Sequence, residues 1–353
     1  MKSIITGTGT YIPTVRQKNE DFLNAEFFNE NHKKLPNSNE IILKKFKGIT
    51  GIEERRYVSD DLVCSDIAIK AAQIAIEDAG IDPEELDYII LGHNFGDVRN
   101  GEHQGDTLPS IAGRVKHYLG IKNPNCVAYD IIFGCPGWLE GVIHSDAFIK
   151  SGLASKCLII GSETLSRVVD PFDRDSLIYA DGAGACILEK SNDSDKGILS
   201  TASQSHTLNE AFYLFFDNSY NPNERLDTRF IKMHGRKIYE FALNNVPIAM
   251  KKALDNSPIS LEKIKKILIH QANEKMDEAI ISRFYALYNK PMPEDIMPMS
   301  IHKLGNSSVA TVPTLLDLVL KNKIEGYNIQ SGDAIILASV GAGMNINAVV
   351  YQF

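Results

Sequence analysis

Cys135 is the residue whose sequence surroundings most favour chemistry. It follows an apolar strand pattern that ends at Gly134, and it precedes Pro136 and a helical pattern that begins at Trp138. Because proline near the first helical position is typical of a helix start, the sulfur is predicted to lie at a strand-to-helix turn. Unpaired N–H groups and the positive end of the helix dipole stabilise a thiolate there. The alternative is a small, buried, unreactive residue, as most free cysteines are.

A nucleophilic thiolate needs polar partners, and candidates follow later in the chain. His270 ends the apolar run 267–269 and begins His-Gln-Ala-Asn, and the end of a buried strand is a favourable place for a site. Asn306 lies in Leu-Gly-Asn-Ser-Ser. Taken alone, His270 is more typical of a structural histidine and Asn306 of a helix cap. Gly341-Ala342-Gly343 offers flexible backbone N–H groups, although such turns are common.

The remaining cysteines carry no comparable turn and are predicted to be core residues. Together with Cys135 the chain has five cysteines, which is an odd number. Their spacing is irregular and no CxxC pair occurs, which argues against a disulfide framework or a zinc site. We therefore expect no metal. These four cysteines are Cys64, Cys126, Cys157 and Cys186.

One pattern occurs twice in the chain. Residues 71–91 align without a gap with residues 249–269, and each copy reads as an amphipathic helix, a short helical turn and a continuously apolar strand. Chance similarity between two unrelated units is the alternative. The repeat predicts an α/β protein of two halves, 1–190 and 191–353, each with a central sheet between helices.

Two stretches fit neither a helix nor a strand. Residues 94–106 are polar and rich in glycine, which predicts a loop. Residues 211–235 are rich in aromatic side chains but irregular, which predicts a loop that lines or covers a pocket.

Composition limits the classes of function. The chain has 353 residues, 44% of them hydrophobic, and a formal net charge of −8. This length indicates two domains or one duplicated unit, and the acidic charge disfavours nucleic-acid binding. No apolar run reaches the roughly 20 residues that span a bilayer, and the N-terminus lacks the apolar region of a signal peptide. These features predict a cytoplasmic protein without a membrane segment.

Taken together, these residues resemble the β-ketoacyl-acyl-carrier-protein synthase III family of thiolase-fold condensing enzymes. Cys135 and three motifs occur in the order and spacing of that family. The resemblance implies a thiolase-like α/β fold of two duplicated halves with layered helices and mixed sheets. The matching segments are 7–13, 50–55, 170–174, 181–185, 270–273, 305–308 and 341–343.

The family resemblance also implies a reaction. Cys135 would attack an acyl thioester, and the backbone N–H groups of Cys135 and Ala342 would form the oxyanion hole. His270 and Asn306 would donate hydrogen bonds to the carbonyl of a malonyl thioester and stabilise the enolate left by decarboxylation. The carbanion would then attack the acyl-cysteine, giving a β-ketoacyl product for fatty acid, polyketide or secondary-metabolite synthesis. Since loss of CO2 drives the step, no metal or redox cofactor is expected.

The implied partners are acyl carrier protein, an acyl-coenzyme A or carrier-bound donor, a malonyl thioester and a second subunit of a homodimer. Arg174 matches an adenine-side arginine of the family, but Lys45 replaces the tryptophan that stacks on adenine. Lys275 stands where an arginine commonly docks carrier protein. Leu108 stands where a bulkier aromatic residue can cap the partner's acyl pocket, which predicts a longer or branched acyl chain.

Other functions remain open at this stage. One is a thiolase-fold acyltransferase, or a condensing enzyme that uses no malonyl group and acts on a specialised acyl or β-keto acyl acceptor. Another is a Cys-His-Asn hydrolase. A third is a catalytically inactive scaffold subunit, which the presence of Cys135, His270 and Asn306 disfavours.

Overall fold

A computed structural model describes residues 2–192, 195–224 and 227–353. Its strands are mainly apolar runs that end at polar or glycine-containing turns. In chain order they are β1 (Lys2–Tyr11), β2 (Val15–Lys18), β3 (Glu54–Tyr57), β4 (Tyr88–Gly92), β5 (Val127–Ile131), β6 (Lys156–Thr164), β7 (Asp181–Ser191), β8 (Gly197–Ser205), β9 (Leu214–Asn218), β10 (Arg229–Met233), β11 (Ile264–Ile269), β12 (Ala334–Gly341) and β13 (Asn345–Gln352).

The helices follow the amphipathic patterns of the sequence. Gly51, Gly80 and Gly152 adopt left-handed conformations that end three of them, as glycine at a helix C-terminus commonly does. Within the described ranges, no helix is both long and apolar enough to cross a bilayer. The helices are α1 (Asn39–Thr50), α2 (Cys64–Ala79), α3 (Ile111–Tyr118), α4 (Gly137–Ser151), α5 (Gly235–Asp255), α6 (Glu274–Ala286), α7 (Ile301–Leu304) and α8 (Thr311–Leu320).

Two central sheets repeat one topology. The first has the strand order β1-β7-β6-β4-β5 and the second β8-β13-β12-β11. In each sheet the strand of the repeated unit, β4 or β11, pairs in parallel with β6 or β12. That neighbour then pairs antiparallel with β7 or β13. The duplicated helix-to-strand pattern of the sequence is therefore a duplication in the fold.

The sheets and helices form alternating layers. Helices α4 and α8 lie between the two sheets, where Trp138 and Leu316 pack against Ile159 of one sheet and Leu337 of the other. Helices α2 and α3 cover the outer face of the first sheet, and α5 and α6 that of the second. This layering confirms the predicted thiolase-like α/β fold. The four cysteines predicted to be core residues are all buried.

The structure confirms the loop predicted for one irregular stretch and contradicts the loop predicted for the other. Residues 94–106 form no named helix or strand, as predicted, and are closed by a single bridge between Asp97 and Asp106. The loop prediction for 211–235 is wrong, because β9 and β10 form an antiparallel hairpin with Phe216 opposite Ile231. A long polar connection between these strands conceals the pairing in the sequence. The predicted covering of a pocket by this segment is confirmed below.

Candidate active site

Cys135 lies in a tight turn between β5 and α4, one residue before the helix cap Pro136. Gly134 has a φ of +66°, and a Cβ at this position would lie 2.6 Å from the backbone nitrogen of Ala342. A Cβ on Gly341 would in turn collide with the backbone nitrogen of Cys135. The two glycine-containing turns therefore pack backbone against backbone. The N–H groups of Cys135 and Ala342, which are the predicted oxyanion hole, therefore belong to two turns in direct contact.

A cavity of about 250 Å³ lies directly above Cys135 and Ala342. The β9–β10 hairpin covers it, and the ring of Phe216 stacks on that of Phe95 with centroids 5.1 Å apart. The wall is otherwise almost wholly apolar, so it suits an acyl chain whose carbonyl carbon reaches the sulfur. Its further lining residues are Asn94, Ile132, Gly134, Leu165, Tyr179, Leu214, Phe215, Ile231 and Ser308.

The surroundings of Cys135, the predicted nucleophile, favour the neutral thiol. Burial raises the pKa of Cys135 to about 11, while a hydrogen bond from the Ser308 hydroxyl, 3.3 Å from Sγ, acts in the opposite direction. Burial therefore opposes the thiolate predicted at this helix N-terminus, whereas the predicted turn is correct. The desolvation cost of the charged sulfur exceeds the stabilisation from its surroundings.

Asn306 is held rigidly by its backbone and its side-chain oxygen. Its N–H donates to the carbonyl of Ile178 at 2.9 Å, and its carbonyl accepts from Ala180 at 2.8 Å. Its Oδ1 accepts the backbone N–H of Ser308 at 2.8 Å. Because the oxygen is occupied, the NH₂ group is the part of this amide that can serve a substrate carbonyl.

His270 follows β11 and is buried. Its backbone N–H donates to the carbonyl of Ala338 at 2.8 Å. Burial lowers the pKa of the imidazole to about 4, so the ring is neutral at physiological pH. Nδ1 is fully enclosed and has no hydrogen-bond partner among the described residues. Since a buried N–H without an acceptor is rarer than an unused lone pair, we place the single proton on Nε2. This is the neutral donor that the family resemblance implies.

The predicted catalytic residues therefore come from different parts of the fold. Cys135 and Ala342 share one cavity, and Ser308 connects that cavity to Asn306. His270 stands at the carboxyl end of β11, beside the strand β12 that leads into Ala342. Among the described residues, no hydrogen bond joins His270 to Cys135 or Asn306, so the polar groups of both partners remain available to a substrate.

The predicted substrate-binding residues lie elsewhere. Arg174 is half-exposed, pairs with Asp175 and lines a second cavity of about 500 Å³ together with Lys45 and Asn273. Lys275 is exposed near the start of α6. Leu108 is 88% exposed and does not line the cavity at Cys135 within the single described chain.

Sequence reasoning did not single out Asn94, which lines the catalytic cavity just after the end of β4. The sequence repeat could have identified this residue, because β4 is the counterpart of β11 in the repeat. The polar residues after β4 therefore occupy the same position in the first half as His270 in the second.

Comparison with known proteins agrees with the family resemblance of the sequence motifs. Residues 129–207 match the model of the 3-oxoacyl-[acyl-carrier-protein (ACP)] synthase III family, and residues 254–353 match its C-terminal model. β-Ketoacyl-[acyl-carrier-protein] synthase III of Ehrlichia canis (strain Jake) is 31% identical, over 97% of both chains. The chain belongs to the β-ketoacyl-[acyl-carrier-protein] synthase III family. Synthase III 1 of Vibrio vulnificus (strain YJ016) is 30% identical over the full length of both chains.

Solved structures show the same family fold. The 3-oxoacyl-[acyl-carrier-protein] synthase III of Aquifex aeolicus VF5 superposes with a TM-score of 0.80 and is 28% identical, covering 99% of this chain and 100% of that one. The enzyme from Thermus thermophilus gives a TM-score of 0.81 at 27% identity, covering 99% and 98%. The predicted family, the thiolase-like fold and the class of condensing acyltransferase are thereby confirmed.

Proposed function

We propose that this enzyme transfers an acyl group to Cys135 and condenses it with a malonyl thioester on acyl carrier protein. The observation that carries the proposal is that Cys135 and Ala342 line the same apolar cavity and belong to turns in direct contact. A site of this shape holds the apolar chain of an acyl thioester and supports charge on its carbonyl oxygen.

In the first half-reaction, the sulfur of Cys135 bonds to the acyl carbonyl carbon. The C–S bond to the donor breaks, and the cysteine proton leaves with the donor thiol. The N–H groups of Cys135 and Ala342 stabilise the tetrahedral oxyanion. Because the resting group is a thiol with a pKa of about 11, proton loss is part of this step rather than a property of the free enzyme.

In the second half-reaction, the malonyl C–C bond breaks and CO₂ leaves. The electron pair becomes an enolate whose oxygen accepts hydrogen bonds from His270 and Asn306. The enolate carbon then bonds to the acyl carbon, and the Cys135 sulfur departs and regains a proton. Neither half-reaction needs a metal or a redox cofactor, because loss of CO₂ generates the carbanion. A neutral His270 suits this role, since it donates without bringing a second charge into the buried site.

Both substrates are expected to enter through the second cavity. Lys45, Arg174 and Arg236 line it, and it extends to Ala272 and Asn273, two and three residues after His270. Cationic side chains at its mouth suit the phosphate of a phosphopantetheine arm, whether coenzyme A or carrier protein supplies it. The exposed Lys275 is available to an acidic carrier surface.

We further propose a homodimer that forms along β5. This strand is one of the two edge strands of the first sheet. Ile132, just beyond its end, is 70% exposed, and Leu108 is exposed as well. An uncovered edge with apolar side chains is a natural place for strand pairing with a second copy. In such a dimer Leu108 would be available to cap the partner's acyl cavity.

The test uses acyl-coenzyme A and acyl-carrier thioesters of graded chain length, with and without malonyl-carrier protein. Intact mass reports acylation, and trapped CO₂ reports condensation. We expect acylation that Cys135→Ala abolishes and the matched Cys126→Ala retains, followed by CO₂ release that depends on malonyl-carrier protein. Acylation without CO₂ release would indicate the acyltransferase alternative instead. Hydrolysis of the donor without product would indicate the hydrolase.

A further inference from the structure

A buried hydrogen-bonded chain connects the first sheet to the nucleophile. Asn94, two residues after β4, donates both its backbone N–H and its side-chain Nδ2 to Oε1 of Glu163. Glu163 belongs to β6 and is buried. The same Nδ2 lies 3.3 Å from the Ser308 hydroxyl, which lies 3.3 Å from Sγ of Cys135. Four side chains from distant parts of the sequence thus form one chain that ends at the sulfur.

The donors and acceptors in this chain have a defined direction. A carboxylate oxygen only accepts, so the Asn94 amide must turn its NH₂ group toward Glu163. The second hydrogen of that NH₂ group is then directed to the Ser308 oxygen. The hydroxyl has a single proton, and since its oxygen already accepts from Asn94, that proton is free to point at Cys135.

The backbone of Ser308 is fixed independently. Its φ is +53°, a left-handed conformation that is uncommon for a residue other than glycine. The hydrogen bond from its backbone N–H to Asn306 Oδ1 holds this conformation at 2.8 Å. Asn306 therefore sets where the hydroxyl sits, and Asn94 sets which way its proton points.

We propose that Asn94 is a positioning residue for the nucleophile, anchored by Glu163, which directs the Ser308 hydroxyl proton to the Cys135 sulfur as negative charge develops there. The inference rests on the proposed role of Cys135. Asn94 makes no direct hydrogen bond to Cys135 in this chain, so its role in orienting the Ser308 hydroxyl is visible only when the whole chain is considered.

The hydrogen bonds from Asn94 are insensitive to protonation of Glu163, although the negative charge of Glu163 itself raises the pKa of Cys135. Burial raises the pKa of Glu163 to about 7, with His93 acting in the opposite direction and Asp181 in the same one. Both bonds from Asn94 end on Oε1, so a proton on Oε2 leaves them intact. The other titratable groups that face the chain are Cys64 beside Glu163 and Tyr179 beside Cys135. We therefore expect the contribution of Asn94 to persist on both sides of pH 7.

The experiment measures the rate of Cys135 alkylation by iodoacetamide against pH, with the site identified by peptide mass. A neutral hydrogen bond contributes about 1 kcal/mol, which corresponds to roughly a five- to tenfold change in thiolate population. Ser308→Ala and Asn94→Leu should each slow alkylation at pH 8 by about that factor and move the profile to higher pH. Asn100→Leu, in the same segment but bonded to Arg167, is the matched control and should behave as wild type.

Two further variants make the test specific. Both Glu163→Gln and Glu163→Leu remove the negative charge that raises the pKa of Cys135, so they share that effect on alkylation. Only Glu163→Gln retains an accepting oxygen for Asn94, so Glu163→Leu should alkylate about five- to tenfold more slowly than Glu163→Gln. The double variant Asn94→Leu, Ser308→Ala should be no slower than Ser308→Ala alone, because Asn94 acts through Ser308. An unchanged profile for folded Asn94→Leu, or additive effects in the double variant, would overturn the proposal. Alkylation reports the thiol directly, so failure of the condensation assay would not be mistaken for failure of this inference.

Discussion

The backbone N–H of Ser308 donates to the side-chain oxygen of Asn306 across 2.8 Å, so the NH₂ group is the one polar group of Asn306 that bonds to no other described residue. Ser308 also holds its hydroxyl 3.3 Å from the sulfur of Cys135. In the proposed mechanism, one residue therefore orients the amide that would serve the malonyl carbonyl and contacts the cysteine that would carry the acyl group. This arrangement couples the geometry of the two half-reactions.

Asn306→Asp should separate those half-reactions. The substitution replaces the donating NH₂ with an acceptor of the same size, so the enolate loses a hydrogen bond. We expect CO₂ release from malonyl-carrier protein to fall by about 10²- to 10³-fold, while acylation of Cys135 continues at a rate close to wild type. Intact mass and trapped CO₂ measure the two steps. Ser307→Ala, on the neighbouring residue, is the control. Equal losses in both steps would contradict the assignment of Asn306 to the malonyl carbonyl.

His270 should make folding stability depend on pH. The unfolded chain protonates this histidine below its ordinary pKa of 6.5, whereas the folded chain resists protonation down to about pH 4 because the ring is buried. The unfolded state therefore binds more protons between these values, and stability contributed by this residue falls as pH drops from 6.5 toward 4. The effect should be on the order of a few kcal/mol.

Denaturant unfolding at pH 7 and pH 4.5 measures this contribution. His270→Gln cannot be protonated, so it should show a smaller loss of stability between the two pH values than wild type. His32→Gln, at an exposed histidine, should lose as much as wild type. An undiminished loss in His270→Gln would show that the imidazole is solvated or paired in the folded protein.

The sequence was sufficient for the turn at Cys135 because a strand, a glycine, a proline and a helix are adjacent in the chain. It was also sufficient for the duplicated sheets, because each copy of the repeat contains a complete helix-to-strand unit. The protonation state of Cys135 was not predictable in this way. The protonation state depends on burial beneath the β9–β10 hairpin, and the first strand of that hairpin, β9, begins about 80 residues after Cys135 in the sequence. The contact between Asn94 and Glu163 likewise requires the order of β4 and β6 in the sheet, which local patterns do not contain.

Phe216→Ala should change the preferred acyl chain. The ring of Phe216 closes the cavity above Cys135 and stacks on Phe95. Its removal enlarges the apolar space, so the ratio of kcat/KM values should move toward longer acyl donors, by about tenfold across a few methylenes. Phe212→Ala is the matched control, since this ring lies near the same hairpin, is 78% exposed and does not line the cavity. A chain-length profile identical to wild type would show that the acyl group does not occupy this cavity.

Lys232 should prove essential to the hairpin that covers the acyl cavity. Its ammonium is fully buried, lies 2.5 Å from Asp170 and 3.1 Å from Asp173, and sits over the ring of Tyr220. These contacts tie β10 to the segment that carries Arg174. Lys232→Met would leave two buried carboxylates without their cation, which typically costs about 3–5 kcal/mol. We expect such a loss in the free energy of unfolding, measured with denaturant at pH 8, where both carboxylates are ionised in the unfolded chain.

A control variant distinguishes the effect of removing the buried lysine of this cluster from the effect of removing any positive charge. Lys190→Met removes an exposed lysine at the end of β7 and should change stability by less than about 0.5 kcal/mol. Burial already raises the pKa of Asp173 to about 6 with Lys232 present. Without the lysine that pKa should rise further, so Lys232→Met should recover part of its lost stability as the pH falls and Asp173 of the folded protein becomes protonated. Equal stability of Lys232→Met and wild type at pH 8 would show that the cluster does not hold the hairpin in place.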